Sequence, residues 1–282
     1  MMVKLDNVKK RYKDFELNCS LEVPEGYVTG LIGPNGAGKS TAFKSILNLI
    51  KIDSGKAELF GKPAHLLTER EREKLGVVLS NSGFSGYLSV QDVILVLQGL
   101  YKEFDKQKFV YKCKEFHIPM KKNIREFSTG MKVKLQVLAA ICHNAKLLIL
   151  DEPTAGLDVI ARNELMDLMR DYMDTDGRSI LVSSHISSDL EGFCDDLYMI
   201  NNGKIMLHEE TNVILDEYGI LKVTKEQYER MERAYILRSK KERFGYTCLT
   251  NEKQFYQENY PGIAIEKGSI DQVITMMIRG EA

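Results

Sequence analysis

The sequence predicts an α/β fold: a mostly parallel core sheet with an N-terminal antiparallel β part, an inserted helical subdomain and a small C-terminal α+β domain. Three observations carry the prediction. One early run alternates strictly between apolar and polar residues, short apolar runs without alternation recur between helix-compatible stretches, and a glycine-rich loop ending in Gly38-Lys39-Ser40 joins one such run to a helical pattern.

From residue 15 to 23, Phe15, Leu17, Cys19, Leu21 and Val23 share one face and Glu16, Asn18, Ser20 and Glu22 the other, the period of a half-buried, antiparallel-type strand. Pro24, Glu25 and Gly26 then supply turn chemistry. Residues 27–32 lack alternation and read as a strand buried on both faces, as do residues 75–79, 147–150 and 180–182. Residues 41–50 carry a helical pattern. Residues 197–200 and 204–207 flank Asn201-Asn202-Gly203, whose Asn-Gly pair signals a hairpin.

Between residues 86 and about 144 strand character is scarce. Val90, Val93, Ile94, Leu97, Leu100 and Tyr101 recur at helical spacing behind a Ser89/Asp92 cap, and residues 132–142 form a second helical run. This segment reads as the inserted helical subdomain; the alternative is a set of helices that simply cover the sheet. From about residue 211 the character shifts again. Thr224 with Gln227 and Ser269 with Gln272 form capping boxes, and the second opens a helix with Ile270, Val273, Ile274, Met277 and Ile278 on one stripe. With strands expected near 234–238, 246–250 and 263–266, the division is a domain at 1–210 and an accessory α+β domain at 211–282. The last helix either packs on its own strands or serves dimerisation or regulation.

Composition narrows the function classes. A chain of 282 residues with 44% hydrophobic and 28% charged residues can bury a core and is neither disordered nor low in complexity. Lys plus Arg number 39 against 40 for Asp plus Glu, a formal net charge of -1, so no nucleic-acid partner is expected. The five cysteines are scattered without a C-x-x-C pair, which speaks against disulfides and zinc and for a reducing, cytoplasmic compartment. No apolar run approaches the ~18 residues of a membrane span, so any work at a membrane is done from its side.

The chemistry centres on Gly33-Pro34-Asn35-Gly36-Ala37-Gly38-Lys39-Ser40, which matches G-x-x-x-x-G-K-[ST] and lies between a buried-strand run and a helix opened by Thr41. Such glycines let backbone N–H groups turn inward around phosphate oxygens. Lys39 then reaches the outer phosphates, and Ser40 can ligate Mg²⁺. Residues 147–150 deliver Asp151 and Glu152 to a strand end that breaks at Pro153, on the edge where the loop opens. One acid can hold Mg²⁺ through waters and the other can orient or deprotonate the attacking water, worth roughly 10²- to 10⁴-fold in rate. His185 ends the run at 179–184, either as a partner for a terminal phosphate or as an ordinary strand-end histidine. Ser128, Thr129, Gly130 and Met131 precede a helix, where Ser128 is either a plain cap or part of an anion site.

Together, across about residues 1–210, these segments resemble the nucleotide-binding subunit of an ATP-binding cassette (ABC) transporter, a P-loop NTPase. The resemblance implies that residues 33–40 are Walker A, that Asp151 ends Walker B, that Glu152 is the catalytic glutamate and that Asp158 closes the D-loop. It makes His185 the switch histidine and Tyr12 the ring that stacks on adenine. Residues 127–131 stand where the family signature, usually Leu-Ser-Gly-Gly-Gln, belongs, but only Ser128 and Gly130 match it, and Met131 replaces a polar donor. The variant is similar to those of subunits serving antibiotic-peptide and drug exporters. Ser80, with Asn81 beyond it, stands where the family has a Mg²⁺-touching glutamine, and a hydroxyl reaches less far.

The function implied is an ATPase that takes ATP and Mg²⁺, pairs head to tail with a second cassette as a homodimer or heterodimer, and drives export through a separately encoded membrane-spanning subunit from the inner face of the cell membrane. The alternatives are a soluble ABC ATPase acting on DNA or ribosomes and a non-hydrolytic ATP sensor.

Overall fold

The alternating residues near the N-terminus become an antiparallel layer because their apolar side chains have one core to face. The computed structural model describes residues 1–80 and 82–281, apart from the side chain of Ser188. In it β1 (Val3–Arg11) pairs with β2 (Glu16–Val23) so that Val3 faces Val23 and Val8 faces Cys19. Strand β3 (Val28–Ile32) is buried along its whole length and feeds the glycine loop and α1 (Lys39–Ile46). The helix is shorter than its sequence pattern. It stops at the Leu47 cap, and Asn48 takes a left-handed φ of 53°.

Next come β4 (Ser54–Leu59), β5 (Lys62–Pro63), the short α2 (Glu69–Arg72) and β6 (Leu75–Val78). Helices α3 (Val90–Leu100), α4 (Lys106–Glu115) and α5 (Thr129–Ile141) occupy residues 86–144. In α3 the Ser89/Asp92 capping box forms, and Val90, Val93, Ile94 and Leu97 are buried. Leu100 is not; it is 62% exposed, at the last residue of the helix and three positions past Leu97. The chain then runs through β7 (Leu147–Asp151), α6 (Val159–Met173), β8 (Ser179–Ser184), β9 (Asp196–Asn201) and β10 (Lys204–Glu210). At the β9–β10 turn Asn202 and Gly203 have φ of 45° and 74°, as a two-residue hairpin turn requires.

These strands form one sheet in the order β5-β4-β1-β2-β10-β9-β3-β8-β7-β6. Its β3, β8, β7 and β6 run parallel, with Ile32 opposite Ser184 and Asp151 opposite Ser183, so that their carboxyl ends lie along one edge. One apolar core fills the space between the antiparallel strands and α1, and a second lies under α3 to α6.

After α7 (Thr211–Glu217) a second sheet begins. It comprises β11 (Gly219–Val223), β12 (Ile236–Glu242), β13 (Gly245–Thr250) and β14 (Ala264–Lys267), all antiparallel in the order β12-β13-β11-β14. Three helices accompany it: α8 (Lys225–Arg230), α9 (Lys253–Asn259) and α10 (Ile270–Arg279). The Thr224/Gln227 and Ser269/Gln272 boxes both form. On α10, Ile270, Val273, Met276 and Met277 are buried, and they share an apolar cluster with Leu190 and Cys194 from the segment before β9 as well as Leu249 of β13. The five cysteines are buried and free; desolvation pushes Cys19, Cys113, Cys142 and Cys248 up to about 12, which leaves their thiols protonated and unreactive.

Candidate active site

The parallel register places the chemistry. Because Ser183 lies opposite Asp151, its hydroxyl donates to Asp151 Oδ1 at 2.7 Å and accepts the Glu152 backbone N–H at 3.0 Å. Ser40 in the first turn of α1 and Ser80 beyond β6 each donate to Asp151 Oδ2 at 2.7 Å. One buried carboxylate thus gathers hydroxyls from α1, β8 and the segment after β6.

The glycine loop needs its glycines. A Cβ on Gly33 would lie 2.1 Å from the Ile200 carbonyl oxygen, and Gly38 has a φ of 115° with Phe15 against it. The loop therefore folds back tightly enough that Lys39, only 5% exposed, donates from Nζ to the Gly33 and Pro34 carbonyls at 2.6 and 3.2 Å. The same Nζ lies 3.0 Å from Glu152 Oε1. A buried ammonium is tolerable only with such partners.

Glu152 sits at a left-handed φ of 54°, which turns its side chain from the strand end toward Lys39 and His185. His185 Nδ1 donates to Glu152 Oε2 at 2.5 Å, and the His185 backbone N–H approaches the same oxygen at 3.3 Å. Glu152 Oε2 is therefore hydrogen-bonded by His185, and Oε1 lies in ion-pair range of the Lys39 ammonium without a hydrogen bond, beside a cleft of about 330 Å³ lined by residues 35–41 with Phe15, Ser80 and Glu152.

The remaining candidates lie elsewhere. Ser128 caps α5, accepting the Met131 N–H at 3.2 Å, and Asp158 caps α6, accepting the Ala161 N–H at 2.9 Å. Gly130 packs beside Ala161 and Leu157, so these two helix starts adjoin each other and do not line the cleft. Met131 is half-buried against the helical core. Tyr12 is 44% exposed and outside the cleft lining; its ring centroid is 6.3 Å from that of Phe15, which does line it. Asn81 lies outside the described residues. Sequence reasoning missed Phe15 and Ser183 as site residues. Ser183 was legible only through its register with Asp151, and Phe15 carried no signal beyond membership of an alternating strand.

Fold and cleft together define a phosphate-loop ATPase of the cassette type. The profile of the ABC transporter family matches residues 17–155. A lantibiotic transport ATP-binding protein of Streptococcus pyogenes, SrtF, is 35% identical over 214 residues, covering 74% of this chain and 91% of the relative. A bacitracin transport ATP-binding protein of Enterococcus faecalis, BcrA, is 32% identical over 218 residues, covering 75% and 70%. Among solved structures, an ATP-binding subunit of an ABC transporter superposes with a TM-score of 0.68 at 24% identity, covering 76% of this chain and 92% of that one. A dimeric cassette, MJ0796, bound to ADP and Pi, gives 0.66 at 24% identity, covering 74% and 99%, and supports the fold. The chain belongs to the ABC transporter family and is one of its ATP-binding subunits, an ATPase. No helix among the described residues is long and apolar enough to cross a membrane.

Proposed function

We propose that this ATPase powers export of a peptide or peptide-like antibiotic through a separately encoded membrane-spanning subunit, working from the cytoplasmic face of the membrane. The relatives named for lantibiotic and bacitracin transport support the substrate class. The observation that carries the catalytic reading is the double engagement of Glu152 by Lys39 and His185 beside the glycine loop.

In this reading the backbone N–H groups of residues 33–40 and the start of α1, including Thr41, cradle the phosphates of ATP, and Lys39 transfers its ammonium from Glu152 Oε1 to the outer phosphates. Glu152 is then free to accept a proton as a water oxygen forms its bond to the γ-phosphorus and the bond to the bridging oxygen breaks, giving ADP and phosphate. His185 holds the other carboxylate oxygen through Nδ1–H, and the imidazolium form carries a second N–H for the γ-phosphate. Ser183 fixes the Glu152 backbone relative to Asp151.

The oxygens of Ser40, Ser80 and Asp151 converge within 2.7 Å contacts, a hard-oxygen set suited to Mg²⁺ held partly through waters. Mg²⁺ would supply charge neutralisation of the phosphates. Ser128, Gly130 and Asp158 act on the nucleotide of a second cassette in a homodimer or heterodimer. Val159 and Ile160, exposed at 69% and 73% directly after Asp158, offer that surface an apolar contact. Tyr12 stacks on the adenine, with Phe15 beneath the phosphates.

Glu152→Gln is expected to keep ATP affinity and ATP-dependent dimerisation while turnover falls by about 10²-fold or more; an unchanged rate overturns the base assignment. Reconstituted with its membrane subunit in inside-out vesicles, the complex is expected to accumulate a peptide antibiotic inside when ATP is added outside. Accumulation in the opposite sense excludes export.

A further inference from the structure

The segment following His185 is bound on several sides, and one of its partners belongs to the C-terminal domain. The Ser184 hydroxyl donates to the Ile186 carbonyl at 3.0 Å and accepts the Ile186 N–H at 2.9 Å, closing a tight turn around His185. Asp189, 6% exposed, accepts the Thr154 hydroxyl at 2.6 Å and pairs with Arg162 at 3.1 Å, which ties the segment to the stretch just beyond Glu152 and to α6. Ser187 is 2% exposed, and its hydroxyl donates to Asp271 Oδ1 at 2.5 Å, in the first turn of α10.

A short O–H···O⁻ contact is among the stronger hydrogen bonds, and here it bridges positions 84 residues apart. It stands over an apolar seam in which Leu190 and Cys194 share a cluster with Ile270 and Val273, so α10 cannot move without loading the 187–190 segment. Of the hydrogen bonds and ion pairs just described, Ser187 to Asp271 is the one supplied by the accessory domain. Asp271 itself is exposed, so a change in what surrounds α10 can reach it.

We propose that Asp271 is a positioning residue: through Ser187 the C-terminal domain sets where His185 stands against Glu152, and thereby sets turnover. The proposal rests on the reading of His185 and Glu152 given above. It makes the accessory domain a control element for hydrolysis and not a separate appendage. Asp271 touches neither the glycine loop nor the Asp151 cluster, so its loss affects the chemical step and leaves nucleotide affinity alone.

The test is steady-state hydrolysis of Mg-ATP by the full chain. Asp271→Ala and Ser187→Ala are each expected to lower kcat about fivefold with KM unchanged, the size expected from losing one charged hydrogen bond that orients a catalytic group. The double variant is expected to match the single ones, because both remove the same contact. Asp271→Asn, whose amide oxygen still accepts from Ser187, is expected to recover most of the rate. Wild-type kcat in both alanine variants, multiplication of the two losses in the double variant, or a rise in KM equal to the fall in kcat overturns the proposal. Should Asp271→Ala not fold, Ser187→Ala alone decides it by the same kcat and KM criteria. His185→Ala separates the levels: full turnover in that variant overturns the underlying catalytic reading, whereas lost turnover there with wild-type rates in the Asp271 and Ser187 variants overturns only the positioning role.

Discussion

The parallel half of the large sheet and the four-stranded C-terminal sheet both bury apolar strands under helices, yet they use buried polar groups in opposite ways. In the first, Lys39, Asp151 and Ser183 are all buried at or beside strand tips, and their contacts converge on two neighbouring carboxylates, those of Asp151 and Glu152. In the second, the buried hydroxyls satisfy backbone groups of the scaffold. Thr250 Oγ1 accepts the Glu252 N–H at 2.9 Å, and Tyr256 donates to the Glu232 carbonyl at 2.7 Å. Concentrating charge out of water costs stability unless each group is paired, so a convergent cluster marks a place kept for chemistry, and dispersed satisfied polar groups mark a scaffold.

That contrast sets the expected sizes of four substitutions. Lys39→Ala removes the one buried cation of the cluster and is expected to lower ATP turnover by about 10²- to 10³-fold in a phosphate-release assay. Ser183→Ala takes away both the donor to Asp151 and the acceptor for the Glu152 N–H, and turnover is expected to fall by about tenfold with the fold retained by circular dichroism. A tenfold loss from Tyr256→Phe instead would erase the distinction between chemical cluster and scaffold.

His143 tests the same distinction through pH. It is 4% exposed, stacks on Tyr101 with ring centroids 3.9 Å apart, and sets its two ring nitrogens 2.8 and 3.0 Å from the Ala139 and Leu75 carbonyl oxygens. Desolvation holds its pKa below the usual 6.5, against the opposing pull of those carbonyls. The unfolded chain therefore binds the proton more readily, so the stability from the neutral imidazole is complete above about pH 6.5 and declines as pH falls toward the depressed native value. Urea unfolding is expected to show a loss of stability between pH 7.5 and 5.5 that is absent from His143→Phe. The smallest effect belongs to Tyr256→Phe, expected to cost about 1 kcal/mol of stability in urea unfolding and to leave turnover per folded molecule unchanged.

Legibility followed the same division. The glycine loop, the acids at 151 and 152 and His185 could be read directly, because each sits at the end of an unalternated apolar run, and parallel strands carry their chemistry at that end. The capping boxes at Ser89, Thr224 and Ser269 were legible because they are local. Strands β1, β4 and β11 were not. In β1 and β4 lysines and other polar residues occupy much of the strand, and β11, five residues long and central in its sheet, offers no alternation to detect. The helix at α9 buries only Tyr256, too little for a periodic signal. Tyr12 and Phe15 show the limit within the site: both are aromatic and three positions apart, and only packing against Gly38 distinguishes the ring that lines the cleft.

By itself the sequence determined the phosphate loop, the order of strands that lead into it, the acids at their tips and the caps of the main helices, because these are properties of neighbouring residues and of period along the chain. Only the tertiary structure decided that Ser183 meets Asp151, that Lys39 and His185 share the carboxylate of Glu152, and that Asp271 reaches Ser187. Those contacts join residues from 32 to 113 positions apart, and depend on strand register and helix docking, which no local pattern encodes.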